Sequence, residues 1–257
     1  MTIQDELRKF YDAEAMKYAQ TREKHRSEAK VFLDEIHTNS KKSLRILDFG
    51  CGSGRLLKQL TEIKGKKITY IGVDLSPKLL SIARKQVKES HKYLNCTFIC
   101  EDISKHIKKY RQESFDYIIG VASFQHIPTN KERFYLTKSF YRLLHYGGKL
   151  MMTNWSFSRR FLRKYQHEII KAGRKFLLSR GKKDWKDLIL PRKAQGHIFH
   201  RFYHIFTPKE LNSLATLSGF QISSLQYLDE KGEPTASRKN AKNTLLIAKK
   251  NVFTDQK

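Results

Sequence analysis

The sequence predicts an α/β fold: a doubly wound, mostly parallel seven-stranded sheet with a closing antiparallel hairpin, N-terminal helices and a basic helical insertion. Three observations carry that expectation. Short apolar runs alternate with helix-period patterns through the middle of the chain. The first run is followed at once by glycines at alternate positions, Gly50, Gly52 and Gly54. Acids stand at the ends of successive runs, at Asp48, Asp74 and Asp102. A chain of 257 residues suffices for one large domain of this class with an elaboration.

Residues 2–38 read as two helices with polar outer faces, burying Phe10, Tyr11, Ala15 and Tyr18, then Val31, Phe32 and Ile36, as a lid over the sheet. Leu44 to Phe49 is the first strand. A helix with Leu56, Leu57, Leu60 and Ile63 on one face follows, and Gly65 stops it. Ile68 to Asp74 is the second strand, and Ser76-Pro77 opens a helix to about Glu89. Cys96 to Cys100 is the third strand, Phe115 to Val121 the fourth, Lys131 to Leu144 a helix, and Lys149 to Thr153 the fifth strand after the turn at Gly147-Gly148. Beyond it the pattern breaks: Ser156 to Arg201 holds fourteen Lys and Arg against three acids, which marks an insertion. Thr207-Pro208-Lys209-Glu210 starts a last helix, and Phe220 to Tyr227 with Thr244 to Ala248 form the hairpin.

Composition removes several classes. No apolar run approaches the ~20 residues of a membrane span, and the acidic start is unlike a signal peptide, so a cytoplasmic protein is expected. Cys51, Cys96 and Cys100 form neither a disulfide framework nor a zinc site, and no metal is expected. Charge is the abnormal quantity: 51 Lys and Arg against 25 Asp and Glu give +26. That points to a polyanionic partner such as nucleic acid. The alternative is a compositional bias, since 34 of the cations are Lys.

Asp48-Phe49-Gly50-Cys51-Gly52-Ser53-Gly54 lies between a strand and a helix. Its glycines allow a sharp turn and close approach to a ligand. A dinucleotide site would space the third glycine differently. An acid at Asp48 suits a ligand with a cationic amino group, and S-adenosylmethionine carries an ammonium, a ribose and an adenine. Asp74 with Leu75 is then placed for the ribose hydroxyls, Asp102 and the Ile103 amide for the adenine, and Ala122 for the wall after strand four. Singly, each strand-end Asp reads better as a cap of the next helix; together they favour the ligand.

This is the pattern of the Rossmann-like S-adenosylmethionine-dependent methyltransferases, which the chain resembles over roughly residues 43–155. Its flanks resemble more narrowly the tRNA wobble-uridine carboxymethyl methyltransferases. The residues that carry this are Tyr11-Asp12, Ala15, Tyr18 and Thr21-Arg22; Ser123-Phe124-Gln125-His126, where that family has a double histidine; Asn154-Trp155-Ser156; Asp187 to Pro191; and Arg201-Phe202-Tyr203-His204-Ile205-Phe206 with Glu210-Leu211. Gln125 replaces the first histidine and Arg192 stands where the family has Trp. The resemblance implies one methyltransferase domain over 1–257: a lid (1–42), a cofactor core (43–155), the insertion (156–201) and a C-terminal helix and hairpin (202–250). It also implies tRNA as substrate and brings in the small zinc-binding activator of eukaryotic members as a candidate partner.

Methyl transfer from a sulfonium is an in-line displacement, so alignment and exclusion of water matter most. A carboxylate acceptor is already ionised and needs an orienting cation rather than a base. Arg22 and Arg201 are the candidates, because a guanidinium grips a carboxylate with two prongs. His126 is a candidate substrate contact, or a base for a hydroxyl or amine acceptor. Trp155 and His204 are candidates to stack on a nucleobase, with Arg159 and Arg160 on phosphates. Two other functions fit less of the sequence: a small-molecule O- or N-methyltransferase for an acidic metabolite, and a non-catalytic RNA-binding protein that retains S-adenosylmethionine binding.

Overall fold

The computed structural model describes residues 2–23, 30–88 and 94–251. In chain order its elements are α1 (Ile3–Ala13), α2 (Ala15–Glu23), α3 (Lys30–His37), β1 (Ser43–Phe49), α4 (Arg55–Leu60), β2 (Lys67–Asp74), α5 (Pro77–Lys88), β3 (Leu94–Cys100), α6 (Ile103–His106), β4 (Phe115–Val121) and α7 (Asn130–Leu143). There follow β5 (Leu144–Trp155), α8 (Arg159–Lys164), α9 (Gln166–Leu178), β6 (Asp187–Ala194), β7 (His197–His204), α10 (Pro208–Leu217), β8 (Gln221–Leu228), β9 (Pro234–Thr235) and β10 (Asn243–Lys249).

The sheet runs β3-β2-β1-β4-β5-β10-β8-β9. Its first five strands are parallel, and β10 enters antiparallel between β5 and β8. The order reverses at β1, so a crevice opens beyond the carboxyl ends of β1 and β4, where open α/β sheets bind ligands. The strand count is corrected from seven to eight, because the short β9 pairs with β8. Among the described residues three helices, not two, precede β1. The end of the expected α5 at Glu89 lies outside the described residues.

Period-two alternation sorts the strand side chains between two cores. Leu47, Phe49, Ile118, Leu150 and Met152 pack against Leu136 and Phe140 of α7 and Leu211 of α10. Leu44, Ile46, Tyr70, Ile119 and Met151 pack against Phe32 and Ile36 of α3 and the leucines of α4. Thr129 with Glu132 and Thr207 with Pro208 start α7 and α10 at the expected places.

The insertion departs from expectation. Only its first part is helical; β6 and β7 form a separate antiparallel hairpin, turned at Gln195-Gly196. It has its own small core of Phe157, Phe161, Leu188, Leu190 and Tyr203. This hairpin and the main domain hold α1 between them. Ser76 Oγ donates to Asp12 (2.6 Å) on one side, and the His200 amide donates to Glu6 (2.9 Å) on the other. Among the described residues no helix is long and apolar enough to cross a membrane.

Candidate active site

A cavity of about 770 Å³, its open mouth included, fills the crevice beyond β1 and β4. Its floor is Gly50, Gly52, Asp74, Leu75, Asp102 and Ile103, its far wall Ala122 and Ser123, and its roof Leu7, Tyr11 and Tyr18 of the lid. The two Asp74 oxygens each accept one backbone N–H, from Gly52 and from Ser76, both at 2.8 Å. Asp74 thereby fastens the glycine loop to the end of β2, and it lines the cavity. Burial raises its pKa, against backbone hydrogen bonds from Ser76, Gly52 and Leu75. Asp102 does cap α6, accepting from the Ser104 amide (2.7 Å), and lines the cavity as well.

A second cavity adjoins the first, sharing Tyr11, Tyr18 and Ala122. Trp155, Tyr165 and Tyr203 make its aromatic side, and Lys17, Lys164, Arg192 and Arg201 face Glu14 as its charges. Arg201 is the unusual member, at 8% exposure. Its Nη1 donates to Tyr203 Oη at 2.6 Å and its guanidinium lies 4.3 Å from the Phe10 ring centre, yet its buried Nε has no acceptor. Among the described residues no carboxylate pairs with it. A buried cation left so is costly unless a ligand supplies the anion.

Residues 40–222 match the family described as a methyltransferase domain. The chain belongs to that family. It is 25% identical over 248 residues to the tRNA (carboxymethyluridine(34)-5-O)-methyltransferase alkbh8 of Xenopus tropicalis, an alignment covering 81% of this chain and 36% of that protein. The chain thus spans about a third of that relative's length. A solved SAM-dependent methyltransferase of Methanosarcina mazei shares the fold with a TM-score of 0.64 at 22% identity, over 85% of this chain and 97% of that one. A Haloferax volcanii methyltransferase, solved in complex with the Trm112 methyltransferase activator, shares it at 0.62 and 15% identity, over 98% of each chain.

The methyltransferase therefore uses S-adenosylmethionine, and its first cavity fits that cofactor. Gly52 has φ +56°, and a Cβ there would point across the cavity to within 3.7 Å of Tyr18. Gly50 has φ +68°, and a Cβ there would lie 2.3 Å from Ser123 Oγ, so the loop can lie against the far wall only as glycine. Asp74 keeps acceptor capacity for a diol. Seven of the ten residues expected at the cofactor line this cavity; Asp48, Cys51 and Gly54 do not.

Asp48 is a correction. Its side chain shares the strand face of Leu44 and Ile46, lies behind the glycine loop at 2% exposure and accepts from Tyr70 Oη at 2.6 Å. Burial pushes its pKa up to about 7, against the Tyr70 hydrogen bond and Arg55. The folded protein therefore holds this proton where the unfolded chain, at 3.8, has released it, and stability from this group is lost as pH rises from about 4 to 7. Asp48→Asn keeps an acceptor for Tyr70 and removes the titration. Its melting temperature relative to wild type is expected to climb across that window; a constant difference in calorimetry would contradict the assignment. Cys51 and Gly54 serve packing, Gly54 by letting Ala83 approach.

The other expected residues divide. His126 lines the first cavity, but both ring nitrogens are engaged. Nδ1 donates to the Phe202 carbonyl (2.9 Å) and Nε2 accepts from Tyr11 Oη (3.2 Å). Desolvation pulls its pKa down to about 4, so the ring is neutral at pH 7 and ties the lid to β7. Trp155 and Arg201 line the second cavity, and Arg159 and Arg160 a third surface beside it. His204 is the second correction. It is wholly buried, does not reach either cavity, and its ring nitrogens face Asp187 (2.6 Å) and Glu210 (2.7 Å). Asp184, His204 and Glu210 lie close enough together to suggest a metal site. Lys186 Nζ already supplies the cation there, 2.7 Å from Glu210 and 3.3 Å from Asp184. Arg22 stands in α2, and its side chain lies outside the described residues.

Several lining residues were not singled out from sequence as functional. Gln125 accepts from the Trp155 amide (2.7 Å), so the residue replacing the family's first histidine orients the aromatic wall. Lys17, Lys164 and Tyr165 had no signal separating them from other surface cations and aromatics. Arg192 did, since it was noted as a departure from the resembled family.

Proposed function

We propose that this S-adenosylmethionine-dependent methyltransferase acts on tRNA and O-methylates a carboxymethyl group on a wobble uridine. The observation that carries the reading is Arg201, a buried guanidinium without a carboxylate, in a basic, aromatic-walled cavity that opens onto the cofactor cavity. It offers a two-pronged grip to an acceptor carboxylate. Bound S-adenosylmethionine supplies an electrophilic methyl group. Trp155 and Tyr165 offer stacking faces to a base, Arg201 orients the carboxylate oxygen, and Tyr11 and Tyr18 close the passage to water. No base is needed, which agrees with a neutral His126 occupied by Tyr11. The alkbh8 relative is named for this chemistry, and the Haloferax neighbour was solved with an activator, so a similar small activator is part of the proposal.

The test uses methyl-labelled S-adenosylmethionine and tRNA bearing carboxymethylated wobble uridines, with and without a Trm112-type activator, followed by mild alkali. Label that enters tRNA and leaves as methanol establishes the ester. Alkali-stable label means another acceptor atom, and label entering only small acids means a metabolite enzyme. Arg201→Lys retains the charge and loses the fork. It is expected to lower kcat/KM for the acceptor by about a hundredfold, equivalent to one strong charged hydrogen bond, while cofactor affinity holds. Wild-type turnover in Arg201→Lys removes it from the site.

A further inference from the structure

Beside the second cavity a groove runs along the surface between α8 and the segment joining β8 to β10, residues 229–242. It shares Trp155, Lys164 and Tyr165 with the second cavity, which shares Tyr11, Tyr18 and Ala122 with the first, so the three adjoin in that order. We propose that this groove holds the sugar-phosphate backbone flanking the methylated nucleotide, with residues 229–242 as its second wall; the proposal rests on the RNA reading above.

The charge of this chain is spread widely, so net charge alone says little about any one place. Here the cations converge on one concavity from two separate parts of the sequence. Arg159, Arg160, Arg163 and Lys164 come from α8, and Lys231, Lys239 and Lys242 from the C-terminal segment. Among the described residues seven cations line the groove against two acids, Asp229 and Glu230. Glu230 pairs with Arg160, and Asp229 accepts from the Lys231 (2.8 Å) and Glu233 (3.0 Å) amides of its own turn. The walls are also fastened to each other. The Arg159 amide donates to the Lys239 carbonyl (3.1 Å), the Ser156 amide to the Lys242 carbonyl (3.2 Å), and Ser156 Oγ to the Ala241 carbonyl (2.8 Å).

A positive groove with fixed walls tracks a phosphate backbone without reading bases. At its inner end stands Trp155, stacked on Tyr203 with ring centres 4.6 Å apart and planes 17° from parallel. A base turned out of the strand meets this aromatic pair as it leaves the groove, then Arg201 beyond it. The expectation from sequence placed RNA on the insertion; three of the seven cations that line the groove come instead from the C-terminal segment.

The experiment measures anisotropy of a labelled oligouridylate against salt for wild type, Lys231→Ala/Lys239→Ala and a triple variant adding Arg163→Ala. All three side chains are exposed, and the melting temperature of each variant checks its fold. Each lost phosphate contact lowers the slope of log K against log salt by about 0.7 for a single strand. The slope is therefore expected to fall by about 1.4 in the double and about 2 in the triple variant. An unchanged slope, no binding by wild type at low salt, or the same losses seen only with phosphatidylserine vesicles would overturn the groove. Because oligouridylate carries no carboxymethyl group, the groove can stand while the esterification assay fails, and the reverse.

Discussion

Replacing Asp74 by Ala is expected to weaken S-adenosylmethionine binding about a hundredfold or more. Two effects add. The carboxylate offers each ribose hydroxyl a charge-assisted acceptor, and such bonds contribute about 1.5–3 kcal/mol each. It also fastens the glycine loop, taking the Gly52 and Ser76 amides at 2.8 Å. Without it both donors lose their partner, and the loop, with φ of +68°, +56° and +83° at Gly50, Gly52 and Gly54, is left to the Gly50 and Cys51 amides on the Val73 carbonyl and Ser123 Oγ on the Gly50 carbonyl. A total near 3 kcal/mol is about a factor of 150 in Kd. Asp74→Asn keeps the volume but loses the charge and one acceptor, and the new donor faces a backbone donor, so it is expected to weaken binding as well. Isothermal titration of both variants decides it. An Asp74→Ala protein that melts normally and binds within threefold of wild type removes Asp74 from the cofactor site.

The parts of the fold that sequence showed were those written in local signals. Each strand of the parallel sheet was a short apolar run closed by a turn or cap residue, and Gly50, Gly52 and Gly54 stood where only glycine takes the backbone. The β6–β7 hairpin was missed because Pro191 and the flanking cations mask its alternation. The Gln195-Gly196 pair, with φ of +46° and +81°, was the available turn signal. Asp48 and Asp74 show how residue type alone misleads. Both share one face of the sheet, residue 48 with Leu44 and Ile46 and residue 74 with Ile68 and Tyr70. Depth separates them: Asp48 lies inside the sheet between Gly72 and Ile119, whereas Asp74 is the last residue of β2. Arg201 and Trp155 could not be joined from sequence, because the cavity they share depends on how a separate hairpin docks against α1 and β5.

His204→Ala tests the buried ionic cluster beneath that hairpin. Arg133, at 2% exposure, donates to Asp187 (3.0 Å); Asp187 and Glu210 flank His204; and Lys186 closes the chain on Glu210 and Asp184. The members come from α7, β6, β7, α10 and the loop before β6, so the cluster joins the hairpin bearing Arg201 to the main domain. Removing the imidazole deletes two charge-assisted hydrogen bonds and leaves a cavity where the wholly buried ring stood, between carboxylates that keep 30% (Asp187) and 22% (Glu210) of their side-chain surface exposed. The expected loss is about 3–5 kcal/mol, or about 6–20 °C in melting temperature for a domain of this size. Acid provides an independent check. Burial pushes the Glu210 carboxyl up, but the hydrogen bonds and charges of His204 and Lys186 outweigh it and hold it at about 2, against 4.5 for an ordinary glutamate. Its folded pKa is depressed, so its contribution is complete above about 4.5 and is lost as pH falls towards 2. His204→Ala removes much of the cause and should flatten the acid limb of the stability curve while lowering its plateau. If the plateau drops and the limb keeps its slope, His204 acts by packing alone. If neither changes, the cluster does not hold the hairpin, and the position of Arg201 must be set by Phe10 and Tyr203.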